Sequence, residues 1–295
     1  MTTEKVTRVG VVGAGRMGSG VAEICARAGV DVLVYAPSRD LVAKGRIRIL
    51  AALDRGVSVG VLTEREREQA SWRLRFTSDL ADFADRQLVV EAVPEDEAAK
   101  AAVFARLDDI VTAPDAVIAS STSSIPIAAL AAATRDPSRV LGLHFFHPVP
   151  TIPLVELVTT TNTGDGAAAR AETFAHDVLG KQVIRSADRS GFVVNALLVP
   201  YLLTAMRMVE SGFATVDDVD KAMVLGFSHP MGPLKIADLV GLDTVKAIAD
   251  RMVEEFDEPL YAPPPLLVRM VDEGRLGKKS GQGFHDYADR AAVAS

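Results

Sequence analysis

The sequence predicts an α/β fold: a doubly wound, mostly parallel sheet, followed by an all-helical C-terminal domain. Three observations predict it. Short apolar runs alternate with helix-spaced segments through the first 184 or so residues, the pattern of strands and crossover helices. The segment Gly13-Ala14-Gly15-Arg16-Met17-Gly18 directly follows the first of those runs. From Ser190 onward the apolar residues keep helical spacing with no strand-like run. A chain of 295 residues suits two domains better than one core, and the boundary is expected near Asp188, between residues 1–188 and 189–295.

The elements follow in order. Residues 7–12 read as a buried strand, 19–28 as a helix ended by Gly29, and 30–35 as the second strand. Helices are expected over 41–53, 64–72 and 97–110, and buried strands over 88–93 and 116–120. Residues 140–145 and 154–158 form a strand pair around the Pro148-Val149-Pro150 turn. In the second part, helices are expected over 192–210, 215–225, from Pro233, and over 242–256 and 266–273.

Composition narrows the function classes. The chain is 48% hydrophobic and 24% charged, with a net charge of −7. Lys and Arg are scattered, not gathered in the basic stripe that nucleic acid requires, so no nucleic-acid partner is expected. Cys25 is the single cysteine, which excludes an internal disulfide and a cysteine-rich zinc site. The first ten residues hold no apolar run, and the longest apolar stretch, 192–206, contains Asn195 and Pro200. No signal peptide and no membrane span are expected, which suggests a cytoplasmic protein.

A glycine fingerprint gains meaning when it joins a strand to a helix. Here Gly13 allows the tight turn, Gly15 lets the backbone approach a pyrophosphate, and Gly18 lets the helix pack on the strand. The helix N-terminus, with Arg16 and Met17, offers N–H groups to the anion. Such a Rossmann-type site usually carries an acid about 20 residues on, which bonds the ribose 2′-hydroxyl. Ala36 occupies that position. Ser38 and Arg39 follow and could grip a 2′-phosphate, or form only a turn opening the next helix, so NAD and NADP both remain open. The glycine-lysine stretch 277–283 lacks the preceding strand and glycine of a triphosphate loop.

A proton-transfer pair is the other candidate. His144 ends the strand 140–145 where ligands bind in such sheets, and Glu156 lies in an apolar strand where a carboxylate needs a partner. Imidazole titrates near neutral pH and can exchange a proton with an alcohol. Ser123 and Ser124 add hydroxyls to the same edge. A metal held by His144, His147 and Glu156 is the less favoured reading, and no metal is expected. Asn195, in a very apolar helix, either caps a neighbouring segment or points into a site. Arg46, Arg48 and Arg55 either meet ligand phosphates or form a solvated helix face.

These residues resemble the L-3-hydroxyacyl-CoA dehydrogenase family, particularly its short members that act on 3-hydroxybutyryl-CoA. The likeness rests on the fingerprint continued by Ser19-Gly20, on Val90-Glu91-Ala92-Val93-Pro94-Glu95, Thr122-Ser123-Ser124-Ile125 and His144-Phe145-Phe146. It continues through Pro148-Val149-Pro150, Leu154-Val155-Glu156, Gly191-Phe192-Val193-Val194-Asn195, His229-Pro230-Met231-Gly232-Pro233 and Gly277-Lys278-Lys279-Ser280-Gly281. The resemblance implies hydride transfer between NAD(P) and the C3 of a 3-hydroxyacyl-CoA. It makes His144 the base, Glu156 its orienting carboxylate, and Ser123 and Asn195 polar groups around the reacting oxygen. Glu95, Lys100 and Lys279 become cofactor contacts, and the helical domain a homodimer surface. A dehydrogenase of a non-CoA hydroxy acid or sugar acid is the alternative, and a non-catalytic cofactor-binding protein the next. Besides Ala36, two positions depart from the family: Ser121 and His147 stand where it usually has asparagine. Contacts at the cofactor–substrate edge should change there, and like-charge repulsion between His147 and His144 should alter the pH dependence.

Overall fold

A computed structural model describes residues 5–287. The chain divides into two compact units, the first ending at Arg189 and the second starting at Ser190. In the first unit β1 (Arg8–Val12) leads through the glycine turn into α1 (Arg16–Arg27), and β2 (Asp31–Tyr35) follows. Helix α1 begins three residues before its predicted start. Apolar spacing reports only the face that packs on the sheet, and its first turn is made of Arg16, Met17 and Gly18. Ser38 caps α2 (Arg39–Ser58) by accepting from the Leu41 N–H at 3.3 Å. Thr63 and Glu66 form a reciprocal capping box at the start of α3 (Glu64–Trp72).

Next come β3 (Leu74–Thr77), β4 (Leu88–Glu91), α4 (Glu97–Ile110), β5 (Val117–Ser120), the short α5 (Ile127–Ala131) and β6 (Val140–Phe145). The unit closes with β7 (Leu154–Thr159), α6 (Asp165–Thr173) and β8 (Gln182–Ala187). All eight strands join one sheet in the order β3-β2-β1-β4-β5-β6-β7-β8. Strands β1 to β6 are mutually parallel; β7 runs antiparallel to β6, and β8 runs parallel to β7. This is the doubly wound arrangement, with the order reversing between β1 and β4. Its interior strands are near-continuous apolar runs because both faces are covered. Val9, Val11, Val32, Val34, Val90, Leu141 and Leu143 form the core with Val21, Cys25 and Ile49 from the helices.

Two strands, β3 and β8, and two helices, the five-residue α5 and α6, were not expected from the sequence. Strands β3 and β8 are the edges of the sheet. Both are partly exposed, and their Arg75, Gln182 and Arg185 break the apolar run. Helix α6 is rich in alanine and lacks an apolar stripe.

The second unit is helical: α7 (Val194–Glu210), α8 (Val216–Phe227), α9 (Pro233–Val240), α10 (Leu242–Phe256) and α11 (Pro265–Asp272). Its own core gathers Leu202, Leu203, Met206, Leu234, Ile248, Met252 and Met270. Among the described residues no helix is long and apolar enough to cross a membrane.

Candidate active site at the C-terminal edge of the sheet

Parallel pairing of β1, β2, β4, β5 and β6 brings their C-terminal ends to one edge of the first unit. That edge carries the glycine turn, Ala36, the segment after Glu91, the segment after Ser120, and His144. The antiparallel partner β7 then places Glu156 opposite His144 in register. Residues directly opposite in such a pair bring their side chains together on one face. His144 Nδ1 lies 2.5 Å from Glu156 Oε2. Glu156 is fully buried and His144 is 5% exposed, with its ring 4.5 Å from that of Phe146. The dyad expected from the two apolar strands is therefore formed by strand pairing itself.

The fingerprint turn is shaped for a dinucleotide. Gly13 has φ +109°, a conformation that disfavours side chains, and a Cβ on Gly18 would meet the Gly13 carbonyl at 1.8 Å. A Cβ on Gly15 would meet nothing within 4 Å, so an open approach lies over the start of α1. No side chain caps that helix, which leaves its first N–H groups, at Arg16 and Met17, to be met by an anion. These residues fit the pyrophosphate of a dinucleotide. At the ribose end Ala36 is buried and supplies no carboxylate. The Ser38 hydroxyl caps α2 by accepting from the Leu41 N–H, and its own proton stays available to a ligand. Arg39 is exposed at the first position of that helix.

Glu95 and Lys100, expected as cofactor contacts, sit in a network that also includes Glu91. Lys100 Nζ is buried and donates to Glu91 Oε1 at 2.8 Å and to the Val93 carbonyl at 3.2 Å, and it lies 3.4 Å from Glu95. Glu91 also accepts from Ser120 Oγ at 2.6 Å and from the Val93 N–H at 2.6 Å. Glu95 accepts from the Thr122 hydroxyl, from the Ser123 N–H at 3.2 Å and from Ser124 Oγ at 3.1 Å. Burial raises the Glu95 carboxyl, but the Lys100 ammonium and these hydrogen bonds outweigh it and hold the group below its ordinary value. The network fixes the loop that presents Ser123. Beside it, Ser121 Oγ is buried without a hydrogen-bond partner.

His147 lines a cleft of about 410 Å³ together with Arg16, Ser19, Glu23, Arg48, Arg55 and the rest of the turn 147–150, a lining that does not include His144 or Glu156. Partial burial and the Arg16 guanidinium hold His147 below the ordinary imidazole value. The charge seen acting on His147 is that of Arg16. Lys181 fastens the wall of the cleft, donating to the Val149 and Ile152 carbonyls at 2.6 Å each. Arg48, which donates to the Ala14 carbonyl, and Arg55 line the cleft; Arg46, expected with them, does not. On an α-helix, positions 48, 52 and 55 share a face that position 46 does not.

Asn195 and Lys279 belong to the second unit. Asn195 is buried in the first turn of α7. Lys279 Nζ pairs with Asp243 at 2.5 and 2.6 Å, a partner that spacing did not indicate. Among the described residues, no cluster of three or more His, Cys, Asp or Glu could hold a metal ion. Glu91 is the residue that sequence reasoning missed. Its signal was available: like Glu156, it is a carboxylate in an apolar strand.

Comparison with known proteins accords with this geometry. Residues 8–189 match the NAD-binding domain of 3-hydroxyacyl-CoA dehydrogenases, and residues 191–287 match their C-terminal domain. A 3-hydroxybutyryl-CoA dehydrogenase of Mycobacterium tuberculosis is 66% identical over 285 residues, covering 97% of this chain and all of that protein. The crystal structure of M. tuberculosis FadB2 superposes with a TM-score of 0.95 at 66% identity, over 96% of this chain and 100% of that one. The (S)-3-hydroxybutyryl-CoA dehydrogenase PaaH1 of Ralstonia eutropha gives 0.91 at 38% identity, over 96% and 99%. The chain belongs to the 3-hydroxyacyl-CoA dehydrogenase family.

Proposed function

We propose that this enzyme interconverts a short-chain 3-hydroxyacyl-CoA, such as 3-hydroxybutyryl-CoA, and its 3-oxo form, acetoacetyl-CoA, with NAD as the hydride carrier. The observation that carries the reading is the buried His144–Glu156 pair on the same sheet edge as the fingerprint turn. Bound NAD supplies a hydride acceptor, held by the Gly13–Gly18 turn and the first N–H groups of α1. His144 takes the substrate hydroxyl proton, and Glu156 holds the ring through Nδ1, so the proton is exchanged at Nε2. As the imidazolium forms, the Glu156 carboxylate stabilises it. In the reverse direction the imidazolium returns the proton to the nascent alkoxide. Ser123, on the loop fixed by Glu95, is assigned to the reacting oxygen. The same role for Asn195, and a cofactor contact for Lys279, rest on the family resemblance.

The cleft lined by Arg16, Arg48 and Arg55 supports a CoA substrate over a free hydroxy acid, because it concentrates cations on an otherwise acidic chain. Ala36 lacks the carboxylate that would repel a 2′-phosphate, so turnover with NADP as well as NAD is part of the proposal. A homodimer through the helical unit is supported by Phe213, Leu225 and Phe227, each more than three-quarters exposed. Phe227→Asp should then shift the sedimentation coefficient to that of a monomer; an unchanged value would remove this surface from the interface. A place in cytoplasmic fatty-acid or hydroxybutyrate metabolism follows from the substrate class and from the single, buried Cys25.

The test is acetoacetyl-CoA reduction measured beside free acetoacetate, each with NADH and NADPH. Turnover of the thioester over the free acid supports the reading. Preference for the free acid would favour a non-CoA hydroxy-acid dehydrogenase, and no turnover of either would favour a cofactor-binding protein.

A further inference from the structure

His147 stands where relatives are expected to carry asparagine, and the dyad chemistry makes no use of it. Its surroundings are cationic. From α1 the cleft receives Arg16 and Glu23, from α2 Arg48 and Arg55, and from the turn His147 itself. Glu23, the one acid in this wall, is tied to Arg27 at 3.2 Å, and burial raises its carboxyl against the pull of Arg27 and Arg55. Lys181, behind the turn, spends its hydrogen bonds on the Val149 and Ile152 carbonyls. Among the described residues no carboxylate forms an ion pair with Arg16 or Arg48, and Arg55 feels only the more distant Glu23, so positive charge exceeds negative in the cleft. A second imidazole facing such a field is disfavoured as a cation until an anion enters.

We propose that His147 is a proton-linked ligand of the cleft: it takes up a proton when a nucleotide phosphate enters and then donates a charge-assisted hydrogen bond to it. The proposal rests on the reading of this cleft as a substrate site and adds a regulatory consequence to it. Asparagine at this position can donate a hydrogen bond at any pH. Histidine converts the same contact into one that strengthens as the solution becomes more acid. The sign follows from linkage. In the free protein His147 titrates below the ordinary imidazole value of 6.5. Beside a phosphate it is stabilised as the cation and titrates higher. Between those two values binding takes up a proton, and affinity rises by at most about tenfold per pH unit. Below the free-protein value the gain is complete.

Calorimetric titrations of the intact enzyme with CoA and with NADH, in buffers of different ionisation enthalpy between pH 6 and 8, test this. CoA carries a phosphate monoester that itself titrates near pH 6, so the quantity read is the difference between wild type and His147→Asn. The expected result is proton uptake by the wild type that His147→Asn lacks, with the affinity gain from pH 8 to 6 reduced by about threefold or more. Glu23→Gln should leave this difference in place. Seen with CoA, the effect assigns the phosphate to the substrate; seen with NADH, to the cofactor. Equal proton uptake in wild type and His147→Asn, with both ligands bound, overturns the proposal while leaving the cleft reading intact. Failure of CoA to bind overturns the cleft reading, and with no wild-type-specific proton uptake on NADH binding either, it overturns both.

Discussion

At the scale of single residues, the register of β6 against β7 fixes the imidazole before any substrate arrives. With Nδ1 of His144 2.5 Å from a fully buried carboxylate, the ring has one orientation and one tautomer to offer. Glu156→Gln keeps an acceptor at that position but removes its charge, and with it the stabilisation of the imidazolium. We expect kcat to fall by roughly 10²–10⁴ with NADH affinity unchanged, measured by steady-state kinetics beside fluorescence titration. A kcat within a few-fold of wild type would reduce Glu156 to a structural partner. Both members of the pair were legible in the sequence, because a carboxylate between Val155 and Leu157 needs a partner and a strand-end histidine can supply one. The same reasoning applied to Glu91 points to a buried cation, yet choosing Lys100 required knowing how α4 turns back over β4. The roles of Ser38 and Arg46 depended equally on backbone geometry, the first on cap formation and the second on helix phase.

At the scale of elements, the loops after β4 and β5 are joined by charge. Lys100, near the start of α4, closes onto Glu91 at the end of β4, and both are essentially inaccessible to solvent. Removing one partner of a buried pair leaves the other charged and unsatisfied. Lys100→Met should therefore destabilise the fold by about 3–5 kcal/mol, measured by urea denaturation. The double variant with Glu91→Gln should recover much of that loss. A loss below about 1 kcal/mol in the single variant would mean that the pair contributes little. Interior elements were the readable ones: β1, β4, β5 and β6 are apolar on both faces, and α4 and α10 match their expected bounds. The edge strands β3 and β8 escaped, since a strand with one free side can carry Arg75 and Arg185 at no desolvation cost.

For the whole molecule, acid stability depends on carboxyls held below their ordinary values. Burial raises Asp108, but hydrogen bonds from Arg139 and Arg135 overcome it, and Glu95 is lowered against burial by Lys100 and its hydrogen bonds. Depressed folded-state values mean stability that is complete above the ordinary carboxylate range near about 4 and is lost as pH falls through the lowered values. Asp108→Asn should lower Tm at neutral pH and flatten the acid limb of the Tm–pH curve; an acid limb as steep as that of wild type would contradict this origin. The central claim, that His144 is the proton-transferring group of an NAD-linked dehydrogenase, is tested most directly by one comparison. Acetoacetyl-CoA reduction by His144→Ala is measured beside its NADH dissociation constant. The account predicts turnover reduced by about 10²-fold or more with NADH binding unchanged. Near-normal turnover in that variant would contradict it.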